Sequence, residues 1–350
     1  MRTSRKLTHY LMAVFAVALM SMAALAADPG TLMTSTSEAS DQKAGSALVY
    51  TIYGSSATNI ASWDTRINIT NTNDSNPIFV HFFFAGSCSV ADFKTELTAN
   101  QTYSFLTSDF DPGSNGHIIA IAENYLGHPI SFNYLIGDLY TRRTIDASNT
   151  YNANLGAIAF SANFGAFTRT TNIETGQRLV GTQEPGIAAS PTDVTATISY
   201  DGTEYNRLPS VLAVSNIPSR ASNDRMLLTV FSPTGNLTTS SSASGTLFGL
   251  LYDDAEQSQS FSFSFSCGAV TELSNTFPRT VPRFDSVIPA GRTGWMKFWS
   301  GASSGILGSS IVYNQQAGIN FAGGHNLHHL TLTSGTAQTI TVPVFPFSGN

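Results

Sequence analysis

Few side chains in this 350-residue sequence are spaced for chemistry. The densest group is His325, His328 and His329, in Gly-Gly-His-Asn-Leu-His-His-Leu. On a helix His325 and His329 would share a face and could hold zinc. Two preceding glycines and a following Thr-Leu-Thr favour a loop entering a strand, where that pairing dissolves, so no metal is expected there. Asp109, Asp111 and Asn115 alternate through a turn, and oxygen ligands of this kind suit calcium. Pro112 and Gly113 interrupt the spacing, and no acidic residue closes the loop, so the three are weak calcium candidates and better read as turn formers.

Catalytic groupings are thinner still. Gly301-Ala-Ser-Ser-Gly305 lies in a Ser/Gly-rich stretch and is read as an accident of composition, not as a nucleophile elbow. Glu123, Glu174, Glu184, Glu204, Glu256 and Glu272 are scattered, whereas glycoside hydrolysis needs two carboxylates flanking one bond. No enzyme and no cofactor are expected. Trp295 and Trp299 stand four apart in an expected strand and share a face, which would suit a carbohydrate platform. Large aromatics are usually buried, so a core position is the preferred reading. Cys88 and Cys267 could form one disulfide, and each follows a Phe-rich run. In Phe261-Ser-Phe-Ser-Phe-Ser-Cys267 the alternation aims the cysteine inward with the rings, which favours two separately buried thiols over a bond.

The elements that must position these residues read as strands. Short alternating runs bounded by Gly, Asn, Asp and Pro begin near residue 47, and no segment after the N-terminus keeps a 3.6-residue apolar period. Two stretches echo one another. From Cys88 the chain runs to Gly113-Ser-Asn-Gly116-His117, and from Cys267 it runs almost as far to Gly291-Arg-Thr-Gly294-Trp295. Asp64-Thr-Arg66 and Asp224-Arg225 precede them in the same order. The expected fold is therefore all-β: two tandem antiparallel β-sandwich domains that look like a divergent internal duplication. The expected boundaries are a signal peptide at 1–26, a flexible leader at 27–45, domain 1 at 46–165, a linker at 166–204 and domain 2 at 205–350.

The N-terminus carries Arg2, Arg5 and Lys6, then an apolar run from Leu11, then Ala24-Leu25-Ala26, the three-part layout of a cleaved secretory signal in a bacterial style. No later apolar run is long enough to span a bilayer as a helix. The net charge is −6, and Lys43, Lys94 and Lys297 are the lysines beyond the signal, so a nucleic-acid footprint is missing. These features lead to an exported bacterial protein, secreted, extracellular or at the cell surface, with the periplasm or outer membrane as further destinations. Its expected role is structural, adhesive or ligand-binding, with other surface proteins or glycans as partners. An outer-membrane β-barrel and a secreted glycan-acting enzyme are the alternatives. Pro343 and Pro346 would interrupt a closing barrel strand.

Overall fold

Alternating runs become strands across the first half of the chain: β1 (Ala47–Gly54), β2 (Trp63–Asn71), β3 (Ile78–Gly86), β4 (Ser89–Leu97), β5 (Thr102–Leu106), β6 (Asn115–Glu123), β7 (Leu135–Asp146), β8 (Asn149–Gly156) and β9 (Ile158–Phe160). Four short strands follow, β10 (Thr168–Asn172) paired with β11 (Gly176–Val180), and β12 (Thr182–Glu184) paired with β13 (Ile187–Ala188). Beyond them lie β14 (Thr195–Ser199), β15 (Pro209–Pro218), β16 (Asp224–Phe231), β17 (Gly235–Asn236), β18 (Ser241–Ser242), β19 (Gly245–Asp253), β20 (Ser258–Phe265) and β21 (Ala269–Glu272). A single helical turn, α1 (Phe284–Val287), leads to β22 (Thr293–Ser300), β23 (Leu307–Asn314), β24 (Ala322–Asn326), β25 (His328–Leu332) and β26 (Thr339–Pro343). This is a computed structural model, and it describes residues 38–347 except 87, 147–148, 163–167, 173–175, 181, 185–186, 189–193, 240, 301–303, 317–321 and 334–337. The expected export signal lies outside the described residues. No helix among them is long and apolar enough to cross a membrane.

The protein is all-β. Its first half forms a five-stranded sheet, β4-β3-β6-β1-β9, and a four-stranded sheet, β5-β2-β7-β8. The second half forms β20-β19-β22-β15-β25 and β21-β16-β23-β24. Replacing β1 to β9 by β15, β16, β19, β20, β21, β22, β23, β24 and β25 in turn converts the first pair of strand orders into the second. The registers agree as well. Gly116 opposes Tyr53 beyond a bulge in the β1–β6 ladder, and Gly294 opposes Ile217 beyond a bulge in β15–β22. At both glycines a Cβ would overlap a carbonyl oxygen of the neighbouring strand, that of Ala85 or of Tyr252. Close backbone approach excludes a side chain at either position.

Each pair of sheets encloses apolar side chains. Ile67, Ile69 and Leu139 meet Leu48, Phe82 and Ile118 in the first half. Met226, Leu228 and Val230 meet Leu212, Leu251 and Phe298 in the second. A third cluster covers the other face of the first five-stranded sheet. There Val49, Phe83, Ile119 and Ile121 lie under Ala196 and Ile198 of β14, Ile340 and Val342 of β26, and Phe231 and Leu307 of the second half. The halves are thus not separate bodies: the described residues lie in one compact unit, and Leu227, Ile311 and Tyr313 enter the first-half core.

Three expectations change at this level. Part of the flexible leader is fixed, because Ser40 exchanges backbone hydrogen bonds with Ala159 and Lys43 donates to Asn206 Oδ1 at 2.8 Å. Part of the linker is sheet, because β14 pairs with β26 and buries Ala196 and Ile198. The cysteines are bonded, not free, with Cα atoms 5.1 Å apart, inside the range a disulfide spans. Alternation does not carry through to Cys267, because β20 stops at Phe265 and Cys267 takes φ 59°, which turns its side chain out of the Phe row. Cys88 likewise has φ 60°. Nor do the two occupy matching places: Cys88 joins β3 to β4, whereas Cys267 joins β20 to β21, one connection later.

Candidate binding face

The site is best built from β19 and β22, the two central strands of the second-half sheet. Along β22, Gly294, Met296, Phe298 and Ser300 are buried, while Trp295, Lys297 and Trp299 point the other way. Along β19, Leu247, Gly249 and Leu251 face the core, and Thr246, Phe248, Leu250 and Tyr252 face out. The ladder sets these outward residues in rows: Tyr252 beside Trp295, Leu250 beside Lys297, and Phe248 beside Trp299. Strand spacing separates neighbours in a row by about 4.8 Å, and the two ring-bearing rows by about 13 Å along the strands. Outside β19 runs β20, whose outward positions are Ser258, Ser260, Ser262 and Ser264, opposite Tyr252, Leu250, Phe248 and Thr246. An aromatic band therefore lies next to a line of hydroxyls.

The rings are ordered by contact. Tyr252 and Trp295 stack with centroids 4.4 Å apart and planes within 4°, and the Lys297 ammonium lies 5.9 Å from the Tyr252 ring centroid. Phe248 is 45% and Trp295 38% exposed, which is unusual for large aromatics in strands with an apolar core beneath. The expected core position for Trp295 and Trp299 is thereby corrected. Both belong to the outer face, and the core beneath is filled by Met296 and Phe298. The alternation of the strand was legible, but the choice of buried side was not, because both sides of β22 carry large apolar residues.

The remaining candidates are used within the fold. Asp111 accepts hydrogen bonds from the Tyr53 and Ser114 hydroxyls, one on each carboxylate oxygen, and Asp109 ends a 3-10 turn while Asn115 opens β6. Among the described residues no three His, Cys, Asp or Glu side chains are grouped to hold a metal. The histidines lie on strands and not in a loop, His325 in β24 and His328 and His329 in β25. They line an open cleft of about 530 Å³ with Glu38 and Asp41. His329 Nδ1 lies 2.8 Å from Glu38 Oε1, His328 Nε2 3.2 Å from Ser215 Oγ, and His325 Nε2 3.3 Å from Ser310 Oγ. Burial lowers the pKa of His325 and of His329 below the usual histidine value.

One cluster had escaped the sequence. His81 of β3 faces two carboxylates, Glu123 Oε1 at 2.9 Å and Asp92 Oδ2 at 3.0 Å, and Lys94 Nζ lies 2.7 Å from Glu123 Oε2. A carboxylate at each ring nitrogen holds the imidazole of His81 from both sides. The hydrogen bond from His81 holds the Asp92 carboxyl below the ordinary aspartate value. Lys94 also donates to the Phe345 carbonyl at 2.8 Å and lies 4.0 Å from the centre of that ring. With His81 and Glu123 fully buried, the cluster anchors the chain after β26. Only the strand pairing brings positions 81, 92, 94 and 123 together. No family model matches the sequence, and no curated protein matches it.

Proposed function

We propose that the chain is an exported, non-enzymatic bacterial protein with a structural, adhesive or ligand-binding role at the cell surface or in the extracellular matrix. In this reading it is built from two β-sandwich halves that arose by internal duplication. The observation that carries the reading is the Cys88–Cys267 bond, which ties positions 179 residues apart. Such bonds persist in oxidising compartments and are rare in the cytosol, which agrees with the three-part signal at residues 1–26. The identical strand orders and matched glycines support duplication, and the shared third core refines it: the halves grip one another. The five-stranded sheets end at separate edges, β4 and β9 or β20 and β25, which weighs against a closed barrel. The outward aromatic band gives such a protein a surface with which to bind.

The test is fractionation of a tagged chain in its native host, with intact mass and thiol titration of unreduced material. Loss of residues 1–26 and no reactive thiol are expected. A full-length cytosolic chain with two reactive thiols would end the reading.

A further inference from the structure

We infer that the outer face of β19 and β22 binds an uncharged polysaccharide, laid along the strands over Phe248, Trp299, Tyr252 and Trp295. This deepens the role just proposed, and rests on it only in that such polymers are met outside the cell.

Through Gly116 and Gly294 each outward residue of the second-half sheet has a counterpart in the first. Tyr252 and Trp295 correspond to Ala85 and His117, Leu250 and Lys297 to Phe83 and Ile119, and Phe248 and Trp299 to His81 and Ile121. The first-half face is covered by the chain's own β14 and β26. On the second-half face, Phe248 and Trp295 remain accessible. A sheet face left open by the described residues would ordinarily carry small polar residues, yet this one carries four rings.

The chemistry then selects the occupant. Tyr252 and Trp295 spend one ring face each on one another, so it is their remaining faces, with those of Phe248 and Trp299, that can meet the apolar C–H faces of pyranose rings. The serine line along β20 offers hydroxyls that donate and accept, as sugar hydroxyls do. Within the three paired rows of β19 and β22, Lys297 is the one charge. The whole chain is net negative, at −6, which opposes a polyanion. Leu250 joins the rings along β19, while Lys297 and the serine line break the patch across the strands, and a row of hydroxyls beside the rings matches a hydroxyl-bearing polymer. Rows of rings spaced along a strand suit a linear polymer that can contact both pairs at once.

Native gel electrophoresis through hydroxyethyl cellulose, mixed-linkage β-glucan, galactomannan and xylan tests the inference, with alginate as the polyanion. The expected result is retardation in at least one neutral polymer, with the apparent affinity about tenfold weaker in Trp295→Ala and in Trp299→Ala, and retardation lost in the double variant. Phe248→Ser, at an exposed position, is the check should the double variant lose its disulfide or its unfolding midpoint. No retardation in any neutral polymer overturns the inference, as does retardation by alginate alone or retardation untouched by all these variants. An exported, disulfide-bonded chain that ignores every polymer sinks this inference and spares the proposed role. A polymer-binding chain retained in the cytosol does the reverse.

Discussion

The two five-stranded sheets share one strand order and, at their central ladders, one register, yet their outer faces have opposite fates. In the first, β1, β3 and β6 are buried along nearly their whole length, because β14, β26 and second-half residues close over them. In the second, β19 and β22 alternate between buried and open positions. Burial on both sides demands apolar residues at successive positions, as in Ile78-Phe-Val-His-Phe-Phe-Phe84. Burial on one side leaves the other free to carry rings, a lysine and serines. What differs between the halves is the cover, not the ladder.

The largest effect that should separate the faces comes from truncating a ring on each. Phe83 is fully buried between the sheet and its cover, so Phe83→Ala should cost about 4 kcal/mol in denaturant unfolding. A loss below about 1 kcal/mol would mean that the cover is not in place.

The next effect concerns the tether. Phe231 and Leu307 belong to the cover of the first-half face, and the disulfide ties the β20–β21 connection to the β3–β4 turn. Replacing both cysteines by serine should lower stability by about 3 kcal/mol and raise hydrogen exchange in β1, β3 and β6 more than in β19. Equal increases in both sheets would show that the bond does not act through the cover.

A third prediction uses a matched pair. His117, the counterpart of Trp295, is buried and stacks on Phe231 with centroids 3.8 Å apart. Burial pushes its pKa down to about 3 from 6.5. A histidine held neutral in the folded state contributes stability that is full above pH 6.5 and lost as pH falls from there toward 3. Wild-type protein should therefore weaken by about 1 kcal/mol or more over that interval, and His117→Leu should flatten the loss. Identical pH profiles for the two would show that His117 is not held neutral.

The smallest effect is expected on the open face. Phe248→Ser should change stability by no more than about 0.5 kcal/mol, leaving any effect on polysaccharide binding to be read cleanly. A cost near that of Phe83→Ala would mean that the second face is covered too.

Many strands were legible from local pattern. The alternating run Phe261-Ser-Phe-Ser-Phe lies within β20 and the first runs begin at Ala47 in β1, because alternation and flanking turn residues act within a few positions. β4 carries Asp92, Lys94 and Glu96, charges that conceal its strand character in the sequence, and it is evident only where β3 pairs with it. The cysteine spacing misled for a different reason: similar distances along the chain ended in different connections.

By itself the sequence determined the all-β class, the faces of individual strands and the order in which similar turns recur, since each depends on neighbours a few residues apart. Tertiary structure decided that Cys88 reaches Cys267, that His81 meets Glu123 and Asp92, and that Trp295 faces out while His117 is covered. These outcomes depend on which strands lie side by side and which sheet lies beneath a third layer. Side-chain alternation has a period of two and marks two faces without saying which is wet. Only the packing of residues far apart in the chain makes that choice.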